Sequence, residues 1–484
     1  LIVVDRNTSV GRSSYTGPAP VTSARPTLAV GCYASWDPAR PLYTLAAEHH
    51  TSAAPGQRPG EDKMSRWWPL VLEQAVEHIA RDPHPPIIKG WFINQYHHSL
   101  LGSPAAFTGK TLIGMPAGVR YAVENKIALE SVLDGAGVAT QLRVPARTYR
   151  GRLPSLERMR RDVGSHRLVI QTAHGAGGLG TVFVEREEDL SQVPTQGPWA
   201  GTWRVSRFLP GWSSNTTVLS VPDGNGGVNV YVDRPSHSAV GLPELGVGSA
   251  KSAGNDWSWN FPREGVSALV EAAVRIGRWA WNEHRMSGLW GIDAIWTPDG
   301  VPHINEINAR SQSCTEHADV SHQLLGYPSL SVAHLVAGLG GNPAWLPSPE
   351  EFNTAAVRAV STPGSWAPYY LKVRALGPVR VRSDFPGPGV YRLTDDKTLI
   401  QEAAGAHPAL ANSDAGRVLL ANTPLPGALC LPGAELAVVE GVTTGSTSPF
   451  AEPSQLSVRG RDLLHAINHI LTQEADETVT DHID

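Results

Sequence analysis

Residues 290–313 read WGIDAIWTPDGVPHINEINARSQS, and the pattern fixes a local shape. Ile292 to Trp296 and Val301 to Ile307 are rich in β-branched and aromatic residues. Thr297-Pro298-Asp299-Gly300 between them is turn chemistry, because proline pre-sets φ and glycine accepts a positive one. The expectation is a two-stranded antiparallel hairpin. Glu306 and Asn308 are two apart, so their side chains leave the same face of the second strand, and Asp293 on the first strand can stand opposite them. Three hard oxygen donors converging in this way suit Mg²⁺, which keeps several waters and is usually completed by substrate phosphates. Arg310 follows two residues later, where a guanidinium can grip a phosphate or carboxylate bidentately. A surface hairpin with solvated carboxylates accounts for any one of these residues, and only their grouping argues for a site.

The spacing of Asp293, Glu306 and Asn308, followed by Ala309-Arg310, resembles the magnesium hairpin of the ATP-grasp superfamily. The resemblance implies that Asp293, Glu306 and Asn308 hold Mg²⁺, or Mn²⁺ in its place, against the phosphates of ATP. It also implies that Arg310 contacts the transferred phosphoryl group or the substrate.

Composition narrows the rest. A chain of 484 residues, 41% hydrophobic and 18% charged, is globular rather than disordered, and its length suits roughly two to four domains. A net charge of −5, without a Lys/Arg block, gives no electrostatic case for nucleic acid. No apolar run approaches the ~20 residues of a membrane span. The opening LIVVDRNTSV lacks the basic start and apolar core of a signal peptide, so a cytoplasmic location is expected. Cys32, Cys314 and Cys430 are too few and scattered for a disulfide framework or zinc site. Cys314 beside the hairpin reads as a small buried residue rather than a nucleophile. Only seven of the 40 basic residues are lysines, so each lysine draws attention.

In chain order, short apolar runs at Thr27 to Val30 and Pro86 to Ile93 flank a helix from Pro69 to Arg81, which suggests an α/β unit over residues 1–117. His97 and His98 follow a strand, a common place for ligand contacts in open α/β sheets, although adjacent histidines on a strand point oppositely. Residues 118–137 carry a helical pattern ended by Gly135-Ala136-Gly137. Within it the resemblance assigns Lys126 to the α/β-phosphates, against the ordinary reading of a solvated helical lysine.

Leu168 to Glu185 read LVIQTAHGAGGLGTVFVE. Gly175, Gly177 and Gly180 match a dinucleotide fingerprint, but such a loop opens into a helix. Here Thr181 to Val184 is strand-like, so the loop, with Gly178 also in it, joins two strands as a phosphate flap. Protein-kinase HRD and DFG signatures are absent. Gln171 stands where many ATP-grasp enzymes place a second lysine, and a neutral amide brings no charge. By resemblance Ser206, Phe208 and Leu209 form the adenine hinge, and Ser213, Ser214 or Asn215 replaces a missing ribose-binding glutamate. Ala239 to Trp259 reads as a long surface loop or a mobile substrate loop. A long amphipathic helix is expected over Val266 to Met286. Strand-like runs at Ala355–Val360, Tyr369–Val373, Val390–Leu393, Val418–Leu420 and Leu436–Val439 precede a terminal helix bearing Leu463, Leu464, Ile467, Ile470 and Leu471.

The fold class expected is α/β and α+β: a pre-ATP-grasp α/β domain over 1–117, an ATP-grasp core over 118–343 with a lid at about 165–212, and a small C-terminal α+β domain over 344–484. This architecture resembles the carboxylate–amine ligases, and most nearly the pheganomycin-type peptide ligases of secondary metabolism. The resemblance implies ATP and Mg²⁺ as cofactors, a carboxylic acid and an amine or peptide as substrates, and an acyl-phosphate intermediate. An ATP-grasp kinase or carboxylase, or an NAD-dependent oxidoreductase, is the alternative. A homodimer is the default assembly.

Overall fold

The computed structural model describes residues 111–474 except 176–177, 179, 195–200, 328, 361, 363, 405–410 and 453–454. Before residue 111 it describes 2–4, 28–31, 43–46, 57–58, 68–81 and 87–90. Cys32, His97, His98, Gly177 and the tail after Glu474 lie outside the described residues.

Five short strands at the N-terminal end form a sheet in the order Tyr43–Ala46, Leu28–Gly31, Ile2–Val4, Ile87–Gly90, Thr111–Ile113, and every pairing in it is parallel. Parallel neighbours need crossovers, and the helix Trp68–Arg81, with Val71 and Ala75 buried, lies between two of these strands in the chain. This is the α/β unit that the sequence implies.

A second sheet of four antiparallel strands runs Ala146–Arg150, Thr202–Arg207, Leu168–Thr172, Thr181–Val184. Helix Leu156–Val163 packs on it through Leu156, Met159 and Val163. The Ser155 hydroxyl accepts from Arg158 N to cap this helix, and Gly164 at φ 70° ends it. The unit of sheet and helix spans residues 146 to 207. Leu168–Thr172 turns directly into Thr181–Val184 with Gln171 opposite Thr181, so the glycine loop joins two strands and leads into no helix.

The central sheet has eleven strands. One edge is the hairpin Gly288–Trp296 and Pro302–Asn308, and the order continues through Trp212–Pro222, Ser236–Val240, Ser252–Asp256, Ala367–Arg374 and Glu435–Thr443. Trp290, Ile292, Ala294 and Trp296 alternate onto one face, where helix Arg263–His284 buries Val266, Leu269, Ala273, Ile276 and Ala280 against them. Truncating one of these aliphatics, for instance Ile276→Ala, would cost about 2–5 kcal/mol.

Four expectations change. Residues 118–137 form two short helices, Ala117–Val123 and Leu129–Gly135, rather than one. Ala355–Val360 is helical, within Pro349–Val360, because Phe352, Ala356, Ala359 and Val360 share a buried face at helical spacing. Ala239 to Trp259 is a loop only in its middle, since its ends belong to the paired strands Ser236–Val240 and Ser252–Asp256, and Leu242, Leu245 and Val247 between them are buried rather than on the surface. Most C-terminal strands continue the central sheet, since Ala367–Arg374 pairs with Ser252–Asp256, while Val379–Val381, Leu429–Cys430 and Thr472–Glu474 form a small separate sheet with Gln57–Arg58. The terminal helix Val458–Leu471 buries Leu463, Ile467 and Leu471, with Leu464 and Ile470 partly buried. Among the described residues no helix is long and apolar enough to cross a membrane.

Candidate functional site

Asp293 and Glu306 face each other as a register pair of the hairpin, with Gly291 opposite Asn308. A bulge makes this arrangement. Ala294 pairs with Ile304 while Asp293 pairs with Glu306, so Asn305 is the extra residue. Strict alternation would put Ile304 and Glu306 on one face. With the bulge, Ile304 and Ile307 both enter the core and Glu306 and Asn308 both face the cavity. The Asn305 Oδ1 atom is buried without a hydrogen-bond partner among the described residues, and Asn305 also lines the cavity.

Lys126 lies in the break between the two short helices. Asn125 Oδ1 accepts from Ile127 N there, at 2.9 Å, and Lys126 N donates 2.9 Å to Ala173 O at the base of the lid. Its Nζ donates to Glu306 Oε1 at 2.7 Å and to Gly175 O at 2.8 Å. Arg310 donates from Nη2 to Asn308 Oδ1 at 2.6 Å and from Nε to Glu124 Oε1 at 3.1 Å. Glu124, almost fully buried, also accepts from Arg120 Nε at 2.8 Å. Burial alone would raise the Glu124 pKa, but Arg310, Arg120 and Lys126 together lower it to about 2. The opposite holds at Asp293, where burial and the facing Glu306 carboxylate push the pKa up to about 6.

The amides of Asn215 and Gln312 both donate to Asp293 Oδ1 at 2.6 Å. Asn215 Oδ1 in turn accepts from Asn255 Nδ2 at 2.7 Å, and Asn255 Oδ1 accepts from Tyr370 OH at 2.8 Å. One relay thus crosses four neighbouring strands before reaching Asp293. Sequence reasoning missed Asn255, Gln312 and Tyr370, since only strand register brings them together. It also offered Ser214 and Asn215 for a ribose, whereas Asn215 is committed to Asp293 and Ser214 Oγ accepts from Trp296 Nε1 at 2.8 Å.

Gln171 is buried, and its Oε1 accepts from Arg204 Nη1 at 3.1 Å. Arg204 is its neighbour across the lid strands, is 1% exposed and also donates to Glu130 Oε1 at 3.0 Å. The charge absent at Gln171 therefore stands one strand over. Both residues line a cavity of about 820 Å³. Lys126, Gly175, Gly178, Ser206, Phe208, Leu209, Asp293, Glu306, Asn308 and Arg310 line the same cavity. Gly180, at φ 74°, sits beneath the loop, where a Cβ would lie 2.2 Å from Thr172 Oγ1. Cys314 is buried 1% exposed and burial pushes its thiol up to about 12, which suits a packing role and not a nucleophile.

The donor set fits a hard cation. Two partly buried carboxylates face each other and an amide oxygen stands beside them, so a divalent ion would offset the repulsion that raises the Asp293 pKa. Among the described residues no three His, Cys, Asp or Glu side chains cluster closely enough to hold a metal, because the third oxygen here belongs to an asparagine.

Lid sheet, central sheet and parallel N-terminal sheet together make the ATP-grasp fold, and solved structures with that fold match over most of the chain. The biotin carboxylase domain of Hydrogenobacter thermophilus 2-oxoglutarate carboxylase, solved with MgADP, ADP and bicarbonate, aligns with TM-score 0.55 at 14% identity, covering 91% of this chain and 85% of that one. An L-amino acid ligase from Bacillus licheniformis aligns with TM-score 0.52 at 12% identity, covering 98% of each chain. Biotin carboxylase from Campylobacter jejuni aligns with TM-score 0.53 at 14% identity, covering 92% and 87%. No protein-family model and no curated protein matches the sequence.

Proposed function

We propose that the chain is an ATP-dependent ligase that joins a carboxylic acid to an amine and releases ADP and phosphate. The observation that carries this reading is the meeting of Asp293, Glu306 and Asn308 with Lys126 and Arg310 beneath the glycine loop, in one cavity. Asp293, Glu306 and Asn308 would hold Mg²⁺, which supplies charge neutralisation at the transferred phosphate. Lys126 and Arg310 add positive charge on either side, and Arg204 with Gln171 contributes from the lid strands. Ser206, Phe208 and Leu209 would border the base.

In the reaction a carboxylate oxygen attacks the γ-phosphorus and the bond to ADP breaks. The amine nitrogen then attacks the acyl carbon, the bond to phosphate breaks, and the phosphate carries away the amine proton. No nucleophile from the protein is needed, so its work is positioning, electrostatics and exclusion of water from the acyl phosphate. Within this class the architecture and the Gln-bearing lid strand favour a peptide ligase of the pheganomycin type.

The test is ADP release with amino acids and short peptides offered singly and in pairs, with products read by mass spectrometry. A condensed product formed with stoichiometric ADP supports the ligase. Release that needs bicarbonate and no amine identifies a carboxylase instead.

A further inference from the structure

Asp293 is held by one oxygen. Asn215 Nδ2 and Gln312 Nε2 both donate to its Oδ1 at 2.6 Å, and a carboxylate oxygen offers about two lone-pair sites. We propose that Asn255, acting through Asn215, and Gln312 are positioning residues: they occupy Oδ1 so that Asp293 meets a cation through its other oxygen, and the site thereby prefers Mg²⁺ to Ca²⁺. This rests on the reading of Asp293 as a metal ligand and adds the selectivity of that site.

The direction of each hydrogen bond in the relay is forced. Ser236 Oγ donates its one hydrogen to Asn215 O at 3.3 Å, so towards Asn255 it accepts. Asn255 Nδ2 therefore faces Ser236 Oγ at 2.9 Å and Asn215 Oδ1 at 2.7 Å, which uses both of its hydrogens. The Asn255 Oδ1 atom is left to accept from Tyr370 OH at 2.8 Å, and the Tyr370 ring is fixed in turn by stacking on His317 at 4.2 Å. With its oxygen taken by Asn255, Asn215 has only Nδ2 to offer Asp293. Turning over either amide, or both, sets like atoms against each other. Asn255 and Tyr370 are each 1% exposed, so an amide left unmatched there would carry the full cost of a buried polar group.

The second donor has its own seat. Gly291 precedes Asp293 by two on the same strand, hence on the same face, and a Cβ at Gly291 would lie 1.8 Å from Gln312 Oε1. The missing side chain is the space in which the Gln312 amide lies, and Gln312 N donates to Thr315 Oγ1 at 2.8 Å to hold the segment. Of the other groups near Asp293, Glu306 and Asn308 are the remaining proposed ligands, and Arg310 is tied to Asn308 and Glu124. The two donors on Oδ1 are not ligands, so their effect is on geometry. Mg²⁺ demands near-ideal octahedral coordination at about 2.0–2.1 Å, whereas Ca²⁺ takes roughly six to eight oxygens at about 2.3–2.6 Å and readily uses both oxygens of one carboxylate. Occupying Oδ1 therefore denies Ca²⁺ a ligand and denies Mg²⁺ nothing.

Isothermal titration with AMP-PNP carrying either Mg²⁺ or Ca²⁺ gives two dissociation constants for each protein, and their ratio is the readout. The wild-type chain should bind the Mg²⁺ complex more tightly. Asn255→Ala cuts the relay. Gly291→Ala displaces the Gln312 amide, whose atoms are the three nearest to the new methyl, and touches no proposed ligand. Each change should weaken the Mg²⁺ complex about tenfold, the scale of a lost outer-shell partner, and leave the Ca²⁺ complex within a few-fold. Plain damage to the fold would weaken both complexes alike and leave the ratio where it was. A ratio unchanged in one variant removes that residue from the proposal; a ratio unchanged in both, or a wild-type chain without preference for Mg²⁺, overturns it. A wild-type chain that binds neither complex overturns the metal–nucleotide reading of the site itself, and this inference with it.

Discussion

Lys126 Nζ lies 2.7 Å from Glu306 Oε1, across 180 residues of chain, and both partners are largely buried. Glu306 therefore has a counter-ion before any metal arrives, and Mg²⁺ alone must compete with the ammonium for it. Lys126→Met should tighten binding of free Mg²⁺ severalfold, because two facing carboxylates lose a neutralising charge. The same change should weaken Mg·ATP by about tenfold or more, the scale of a charge-assisted contact. Isothermal titration with each ligand checks the opposite signs.

Glu306→Gln keeps an acceptor for Lys126 but removes one of the two carboxylates. Amine-dependent ADP release should fall about a hundredfold or more, the scale of a lost electrostatic contact at the transition state. The melting temperature without ligand should stay within a few degrees. A wild-type rate in this variant would remove the metal site from the proposal.

Arg204 beside Gln171 predicts that the position of this charge can be exchanged. Arg204→Gln should weaken ATP binding by about tenfold, as loss of a charged hydrogen-bond donor does. Adding Gln171→Lys in that background should recover most of the loss. Failure of the second change to restore affinity would mean that Arg204 only braces the lid through Glu130.

Gly178 has a positive φ and no room for a Cβ, which would lie 2.5 Å from Ala250 O. Gly178→Ala should therefore hold the lid away from the Lys251 segment, at about 1–3 kcal/mol of strain. Turnover should drop at least tenfold while the melting temperature changes little, since the clash can be relieved by opening. Single-turnover kinetics separate this from a binding defect.

Glu124 makes a pH-dependent contribution. Its pKa of about 2 in the fold lies below the ordinary value of about 4.3 in an unfolded chain. The ionised form therefore stabilises the fold fully above that ordinary value, and the contribution, on the order of 3 kcal/mol, is lost as pH falls from there towards 2. Glu124→Gln should remove most of this acid dependence, so melting curves of the two proteins should converge at low pH and diverge near neutrality.

Much of the site was legible along the chain. The hairpin and its turn, the strand–glycine loop–strand and the long helix Arg263–His284 follow from periodicity and turn residues, which are local signals. The interrupted helix around Lys126 was not legible, because the break depends on a backbone bond to Ala173 and on the Asn125 turn. Nor was the strand Ser252–Asp256, whose glycine and small polar residues suggest a loop until neighbouring strands supply their hydrogen bonds.

The amino-acid order by itself determined which oxygen donors, glycines and cations exist and which pairs share a strand face, since alternation and turn geometry act over a few residues. Tertiary structure alone decided the rest: the Asn305 bulge that turns Ile304 and Ile307 inward while Glu306 faces Asp293, the Lys126–Glu306 ion pair, the Arg204–Gln171 contact, and the Tyr370–Asn255–Asn215 relay. Each of these joins residues distant in the chain through strand register or packing, and register is settled only when every strand has chosen its neighbours.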